Sequence, residues 1–289
     1  MITSTHASVE SLRTSPLCIY PAYVFDLDGT IYLGDKLLPG ARRLIEYLQE
    51  RGSRTVFLSN NPTLDPGMYV EKFERLGLQI NESDVVNSVV SIVAWLQREH
   101  PGAVVFPIAE APLIRALGNA GIRMSEDPQE IDIVIASYDR TFDYRKLQIA
   151  FDAIWQFGRA ILVTTNPDRF CPFPGGRGQP DAAAIVAAIE ACTGVKSQAN
   201  AGKPDQIMID TVTEALKMDV RDCIMVGDRL YTDIQMALNA VMDSALVLTG
   251  DSSIAMVEER ESDQRPSFVL DRVDHLIPTQ LRDELGWNI

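Results

Sequence analysis

The chain has 289 residues, of which 46% are hydrophobic and 23% are charged, and its formal net charge at pH 7 is −14. This length can bury a sizeable core in one large or two medium domains, and the composition is that of an ordinary soluble globular protein. The acidic balance argues against binding to nucleic acid or an anionic membrane, which need a basic surface, but not against an anionic substrate beside a local cation.

Cysteine spacing and hydropathy give further bounds. Four cysteines are scattered along the sequence without a CxxC pair, which predicts neither a zinc site nor a disulfide framework and favours a reducing, cytoplasmic setting. The sequence has no apolar run that approaches the ~20 residues of a membrane span. An N-terminal extension, residues 1–19, begins with a polar stretch that lacks a signal-peptide pattern, and we expect it to be frayed.

The first predicted strand, residues 23–25, runs into the sequence Asp26-Leu27-Asp28-Gly29-Thr30. A strand cannot bury alternating carboxylates, so Asp26 and Asp28 are predicted just beyond its C-terminal end. In an open parallel sheet, ligands bind at that edge. Gly29 would let the backbone turn sharply there. The ordinary alternative is a strand followed by an Asx turn.

Alternating helices and strands follow this motif. Apolar spacing predicts a helix over residues 39–51 and a short buried strand over residues 55–58. That strand would bring Ser59, Asn60 and Asn61 to the same edge of the sheet. The rhythm of strands and helices indicates parallel βαβ units, and therefore an α/β fold with a doubly wound parallel sheet.

A long interval separates the second and third polar motifs. The interval from Ser59 to Lys203 is about 140 residues, which is far more than one crossover connection needs. Because it contains further strand and helix patterns, we predict an inserted α/β domain with a Pro/Gly-rich loop over residues 173–180. The predicted organisation is an extension of residues 1–19, a core domain of residues 20–85 and 200–289, and an inserted domain of residues 86–199.

The last part of the chain returns to the first pattern. Lys203 lies between Gly202 and Pro204, a predicted strand over residues 223–226 ends in Gly227-Asp228, and Asp233 is predicted to open the next helix.

Two carboxylates ~4 Å apart repel by roughly 4 kcal/mol at an effective dielectric of 20. Several aspartates gathered at one sheet edge therefore require a cation. All-oxygen ligands with room for water and phosphate suit Mg²⁺.

Four segments together carry a family resemblance: residues 26–30, 59–61 and 202–204, and Gly227-Asp228 with Asp233. In this order, each at the end of a predicted strand, they resemble the haloacid dehalogenase superfamily of phosphatases, over nearly the whole chain. An insertion between the second and third motifs is similar to the second cap type of that superfamily. Within it, the chain resembles the branch of NagD-like sugar-phosphate and p-nitrophenyl phosphatases. The resemblance implies a Rossmann-like core with an inserted α/β cap domain.

The resemblance also implies a Mg²⁺-dependent phosphomonoesterase that works through an aspartyl-phosphate. Asp26 would attack phosphorus, and Asp28 would protonate the leaving alkoxide and then take a proton from the hydrolytic water. We assign Mg²⁺ to Asp26, the backbone carbonyl of Asp28, and Asp228. Asp233 would hold the water on the metal, or Lys203, rather than the ion itself.

Phosphate binding is assigned to the second and third motifs. Ser59, Asn60 with its backbone, Asn61 and Lys203 are the predicted residues, and they would hold the non-bridging oxygens. Each also has an ordinary interpretation: the serine and asparagines could be the approach to a helix, and the lysine could be a solvated loop residue.

The cap is less informative. Asp168, Arg169, Cys171 and Arg177 cluster around the Pro/Gly-rich loop, where the matching region of the family faces the substrate, and they are the predicted substrate-binding residues. A solvated loop with surface charges is the alternative. Cys171 stands where vitamin B6 phosphate phosphatases of the family carry a histidine, which argues against that substrate.

Other functions occur on the same fold. A hydrolytic dehalogenase lacks the second aspartate that Asp28 supplies, and a phosphomutase usually carries its cap between the first and second motifs. The non-enzymatic alternative is a regulatory protein that binds a phosphosugar without catalysis. The expected partner is a small phosphorylated metabolite, such as a sugar or polyol phosphate, with no nucleic acid and no membrane. A homodimer formed through the cap is the candidate assembly.

Overall fold

The computed structural model describes residues 9–173 and 177–287 and contains two compact units. The first unit comprises the described chain up to Leu58, Phe73–Asp84 and the chain from Val212 onward, and the second comprises Ser59–Lys72 and Val85–Thr211. This division differs from the predicted domains chiefly at residues 59–72 and 200–211, and the predicted domain boundaries stay a prediction. Within the described residues, helices are too short or too polar to cross a bilayer.

Strands and helices alternate along most of the chain. The strands are β1 (Ala22–Asp26), β2 (Tyr32–Leu33), β3 (Lys36–Leu37), β4 (Arg54–Ser59), β5 (Val85–Asn87), β6 (Val104–Ile108), β7 (Arg123–Met124), β8 (Ile133–Ala136), β9 (Ile161–Thr164), β10 (Phe170–Phe173), β11 (Arg177–Pro180), β12 (Ala199–Asn200), β13 (Cys223–Gly227), β14 (Asp243–Val247) and β15 (Phe268–Leu270). The α-helices are α1 (Val9–Leu12), α2 (Ala41–Glu50), α3 (Pro66–Arg75), α4 (Ser88–Glu99), α5 (Ala111–Asn119), α6 (Tyr144–Phe151), α7 (Ala182–Thr193), α8 (Gln206–Leu216), α9 (Gln235–Ala240), α10 (Ile254–Glu258) and α11 (Thr279–Glu284).

A parallel sheet forms the centre of the first unit. Its strands lie in the order β15-β14-β13-β1-β4, and every pair of neighbours is parallel. All five residues of β1 are buried, which explains why that strand reads as a continuous apolar run before its aspartate. The rings of Phe25 and Phe57 on neighbouring strands stack with centroids 6.1 Å apart. Helix α2 packs Leu44, Ile45 and Leu48 into the core.

The second unit has a parallel sheet of its own, in the order β12-β9-β8-β6-β7. Apolar clusters, one containing Leu162 and another containing Val163, pack against helices α4 to α7. Strands β10 and β11 form a separate antiparallel hairpin. Parallel sheets flanked by helices in both units confirm the predicted α/β class.

Three sequence-based expectations differ in detail from the structure. The predicted loop over residues 173–180 contains strand β11, and its residues 174–176 lie outside the described residues. Asp233 is not the first residue of an α-helix but lies in the first turn of a π-helix, Leu230–Ile234, that leads directly into α9, and the Ile234 N–H bonds to the Arg229 carbonyl five residues back. Part of the extension expected to be frayed, residues 1–8, also lies outside the described residues, while Val9 packs against Leu230 and Val257.

Candidate functional site

The first unit gathers three buried carboxylates at the C-terminal ends of adjacent strands. Asp26 is the last residue of β1, and Asp228 directly follows β13. These strands are parallel neighbours with Phe25 beside Val226, so their carboxyl ends meet at one edge. Asp233, from the π-helix after β13, joins them, and each of the three offers a carboxylate oxygen within 4.8 Å of the others. This arrangement gives a three-carboxylate cluster.

Glycines allow the backbone to come close to this cluster. A Cβ atom on Gly250 would lie 1.9 Å from Oδ2 of Asp228, and one on Gly227 would lie 2.2 Å from Oδ2 of Asp233. Backbone N–H groups also orient the carboxylates, since Asp251 N donates to Asp228 Oδ2 at 2.7 Å. Glycine at position 250 is therefore a steric requirement of the cluster and not only a turn residue.

The chemistry of the cluster fits a hard divalent cation. Three carboxylates this close repel one another, and burial removes the water that would screen them. A cation bound between them would relieve that repulsion. Carboxylate oxygens are the ligands that hard cations such as Mg²⁺ and Ca²⁺ prefer, whereas softer transition metals favour nitrogen or sulfur ligands. Asp26, Asp228 and Asp233 are the side chains that could hold it.

Asp28 has a different environment from this cluster. It is partly exposed and forms an isolated bridge with Tyr32, while Gly29 turns the chain with φ of 92°. The Thr249 hydroxyl donates to the Gly29 carbonyl at 2.6 Å and ties this turn to the chain beyond β14. The side chain of Asp28 is not one of the three clustered carboxylates. Its predicted metal contact uses the backbone carbonyl and stays a prediction.

The second unit gathers the second and third motifs around Asn60. Its Oδ1 accepts a hydrogen bond from Lys203 N at 2.7 Å, and its Nδ2 donates to Asp168 Oδ2 at 3.1 Å. Its backbone carbonyl accepts from Asn166 Nδ2 at 3.2 Å and from the Ser88 hydroxyl at 2.7 Å. A buried asparagine thus joins segments that are more than a hundred residues apart in the sequence.

Ser59 and Lys203 are both buried in this unit, and Asn61 is half-buried. The Ser59 hydroxyl accepts hydrogen bonds from Tyr69 at 2.9 Å and from the Asn61 backbone at 3.1 Å. The Asn61 side chain caps the turn that follows, because its Oδ1 accepts from the backbone and hydroxyl of Thr63. Asn61 is therefore engaged in local structure, and its predicted contact with phosphate stays a prediction.

The predicted cap residues line the beginning and the strands of the β10–β11 hairpin. Arg169 and Arg177 are exposed, and Cys171 is half-buried. The Arg169 carbonyl accepts from the Asp181 backbone, which closes the base of the hairpin. Asp168, which precedes the hairpin, accepts a hydrogen bond from Asn60 Nδ2 at 3.1 Å. Asp168 is therefore the predicted cap residue that contacts the second motif through a hydrogen bond with Asn60.

Sequence reasoning missed two buried polar residues of this unit. Tyr69 supports Ser59 from helix α3, and its place in an apolar helical pattern concealed that hydrogen bond. Asp181 caps helix α7 and accepts a hydrogen bond from Asn166 Nδ2 at 3.2 Å. An Asp directly before a run of alanines is an N-cap signal, and it could have been identified as such.

Comparisons with known proteins agree with this geometry. Residues 23–123 match the family profile described as haloacid dehalogenase-like hydrolase, and residues 200–276 match a second profile described as HAD-hydrolase-like. The chain is 32% identical to the sugar-phosphatase AraL of Bacillus subtilis, over 90% of this chain and 93% of that protein. It is 33% identical to an acid sugar phosphatase of Staphylococcus aureus, over 86% of this chain and 94% of that protein.

Solved structures give the same result. A 4-nitrophenylphosphatase from Thermotoga maritima aligns with a TM-score of 0.83 and 33% identity, over 89% of this chain and 96% of that one. A glycerol phosphate phosphatase from Mycobacterium tuberculosis, solved in complex with magnesium, aligns with a TM-score of 0.80 and 27% identity, over 89% of this chain and 76% of that one.

Proposed function

The chain belongs to the family of haloacid dehalogenase-like hydrolases and is a phosphatase, and we propose that it hydrolyses small phosphorylated metabolites with the help of Mg²⁺. The observation that carries this proposal is the cluster of Asp26, Asp228 and Asp233 at the carboxyl ends of β1 and β13. Asp26 would act both as nucleophile and as ligand in such a site. When bound, Mg²⁺ would neutralise the carboxylates and the charge of the phosphoryl group.

The proposed reaction has two steps on the chain's own carboxylates. An oxygen of Asp26 attacks phosphorus, the bond from phosphorus to the ester oxygen breaks, and Asp28 gives its proton to the leaving alkoxide. In the second step, water attacks the phosphorus of the aspartyl-phosphate while Asp28 takes a proton from that water. The bond from phosphorus to the Asp26 oxygen breaks, phosphate leaves, Asp26 is again a free carboxylate and Asp28 is again protonated.

Ser59, Asn60 and Lys203 are proposed to bind the non-bridging oxygens of the phosphoryl group. A buried ammonium group suits this role, because a dianionic phosphoryl group offsets the cost of burying the charge. Lys203 is 2% exposed. The hydrogen bonds between its backbone and the Asn60 side chain support the proposal, since they hold the backbone of Lys203 in a defined position.

The proposed substrates are sugar or polyol phosphates. The relatives named above as sugar phosphatases and as a glycerol phosphate phosphatase support this class. Arg169, Cys171 and Arg177 on the hairpin are proposed to contact the leaving group, with Asp168 at the start of that segment. The proposed setting is the cytoplasm, and the proposed cap domain, residues 86–199, would supply specificity.

An activity panel tests the proposal. The purified protein is incubated with p-nitrophenyl phosphate and with sugar, polyol and amino acid phosphates, each with Mg²⁺ and with EDTA. We expect Mg²⁺-dependent release of phosphate that EDTA abolishes, with sugar or polyol phosphates among the best metabolites. Tight binding of a phosphosugar without any turnover would instead favour the regulatory alternative. Full activity in EDTA would refute the metal requirement.

A further inference from the structure

The β10–β11 hairpin depends on the rest of its unit for its orientation. It forms a two-stranded sheet of its own, apart from the five-stranded sheet of the second unit. Such hairpins are at best marginally stable alone. Arg169 directly precedes the hairpin, while Cys171 and Arg177 lie on its strands. Side chains that fix the hairpin therefore also fix the groups proposed to contact the leaving group.

Tyr138 makes such a contact. It lies just beyond β8, is 3% exposed, and its hydroxyl donates a hydrogen bond to Oε1 of Gln179 in β11. Gln179 is the register partner of Cys171 across the hairpin. The phenol thus connects the end of a central sheet strand to the level of the hairpin that carries Cys171.

The ring of Tyr138 has a second contact. The Arg140 guanidinium lies 5.6 Å from the centre of the Tyr138 ring. Glu110, which precedes helix α5, accepts two hydrogen bonds of 2.6 Å from that guanidinium and one of 3.1 Å from the Arg140 backbone. A bidentate pair of this kind restrains geometry as well as adding energy. The loop after β8 is therefore anchored, and Tyr138 is a fixed point for the hairpin.

The phenol keeps its proton over the range in which a phosphatase works. Burial, with an added contribution from nearby Cys171, raises the pKa of Tyr138 to about 12. Its O–H therefore remains a donor to Gln179 at neutral and moderately alkaline pH.

We propose that Tyr138 is a positioning residue that orients the β10–β11 hairpin and so sets which phosphate ester the protein prefers. The inference deepens the proposed function and rests on it, and it assigns no contact between Tyr138 and substrate. Because p-nitrophenyl phosphate makes few polar contacts through its leaving group, its turnover should depend little on hairpin orientation. A sugar or polyol phosphate should depend on it strongly.

The test compares Tyr138→Phe, Gln179→Met and the double variant with wild type. Tyr144→Phe is the matched control, because this tyrosine lies in the same unit and is 77% exposed. For the best metabolite, we expect each single variant to lower kcat/KM about three- to tenfold, mainly through KM, which corresponds to the loss of one hydrogen bond. The rate with p-nitrophenyl phosphate should stay within about twofold in the same variants.

Further measurements separate positioning from general damage. If the two residues act through one hydrogen bond, the double variant should lose no more than either single variant. In wild type, the ratio of metabolite turnover to p-nitrophenyl phosphate turnover should show no change due to Tyr138 up to about pH 9, because the phenol stays protonated there. Gln179 is partly exposed, so its variant keeps the test available if Tyr138→Phe fails to fold.

Four results would overturn the inference. Equal losses with p-nitrophenyl phosphate and the metabolite would indicate general damage, and additive losses in the double variant would deny the shared bond. If Arg169→Ala and Arg177→Ala changed the substrate ranking while Tyr138→Phe did not, the positioning role would be wrong and the proposed function would stand. Absence of any phosphatase activity in wild type would refute both.

Discussion

The backbone N–H of Lys203 donates a 2.7 Å hydrogen bond to the side-chain carbonyl of Asn60, and the Asn60 amide donates back to the Lys203 carbonyl at 3.3 Å. A single side chain therefore satisfies both backbone groups of a buried lysine 143 residues away in the sequence. A Cβ on Gly202 would lie 2.9 Å from Asn60 Oδ1, so glycine is needed for this approach. The side chain of Asn60 in the second motif therefore positions the backbone of Lys203 in the third motif.

Replacing Asn60 tests this coupling. Asn60→Ala leaves buried groups of Lys203 without their side-chain partner, and we expect a loss of about 1–3 kcal/mol in the free energy of unfolding. Displacement of the lysine should lower kcat/KM by up to about 100-fold. Urea unfolding and steady-state kinetics measure the two effects. Asn119→Ala, at an exposed helical position of the same unit, is the control. If Asn60→Ala lost no more unfolding free energy and no more kcat/KM than Asn119→Ala, the coupling would be refuted.

The two aspartates of the first motif should fail in different ways. Asp26→Asn should abolish turnover without unfolding the protein, because an amide cannot attack phosphorus. Asp28→Asn should lose ~10² to 10⁴-fold with an alkyl phosphate and less with p-nitrophenyl phosphate, whose leaving group needs little protonation. Single-turnover kinetics with both esters measure this difference. Asp35→Asn, at an exposed position, is the control. More than a few per cent activity in Asp26→Asn would remove Asp26 as the nucleophile.

Most of the three-carboxylate cluster could be predicted from the sequence, because the ends of its strands could be predicted. Asp26 and Asp228 follow apolar runs whose length identifies buried parallel strands, and such strands end at one edge. The place of Asp233 could not be predicted as well. Whether a residue begins an α-helix or lies in a π-helix before it depends on backbone hydrogen bonds such as that from Ile234 to Arg229, which no local pattern encodes.

Hydrogen bonds between distant segments could not be predicted from the sequence either. The sequence singled out Ser59, Asn60 and Lys203, but their roles as donors and acceptors depend on which segments meet. The hydrogen bond from Tyr69 to Ser59 comes from a helical position that reads as apolar core. The contact of Tyr138 with Gln179 joins a strand end to a segment expected to be a loop. Periodicity predicts faces of helices and strands, and it carries no information on such pairings.

Metal exchange should separate Mg²⁺ from Ca²⁺. We expect activity to require millimolar-range Mg²⁺ and to be inhibited when Ca²⁺ is added, because Ca²⁺ accepts more ligands at longer distances and could engage both oxygens of Asp26. Titration of each ion against activity, after removal of metal by EDTA, measures this. Full activity with Ca²⁺ alone would contradict the proposed geometry.

The Arg54–Asp84 ion pair predicts a dependence of stability on pH. Burial alone would raise the pKa of Asp84, but hydrogen bonds from Arg54 and Asn81 outweigh it and lower that pKa. Since the folded pKa lies below the unfolded value of about 3.9, the stabilisation is present above about pH 4 and is lost as the pH falls through the folded pKa. Asp84→Asn should therefore cost about 1–3 kcal/mol at neutral pH.

Urea unfolding at several pH values measures that cost. The difference between wild type and Asp84→Asn should narrow as the pH falls below about 4, because wild type then loses its own stabilisation. Asp222→Asn is the control, since its carboxylate is exposed in the same unit. A difference that stayed constant down to low pH would show that the charge of Asp84 is not the cause.

Gly250 gives a steric test of the cluster that leaves every carboxylate in place. In Gly250→Ala the new methyl group would lie 1.9 Å from Asp228 Oδ2, so Asp228 must move away from Asp26 and Asp233. We expect the Mg²⁺ concentration for half-maximal activity to rise about 10- to 100-fold, as when groups that orient metal ligands are lost. The rise in melting temperature on adding Mg²⁺ should shrink as well. Gly118→Ala is the control, because its methyl group would meet only Met124 Cε, at 3.9 Å. If Gly250→Ala kept the wild-type Mg²⁺ dependence in both measurements, Asp228 would not be a ligand of the metal.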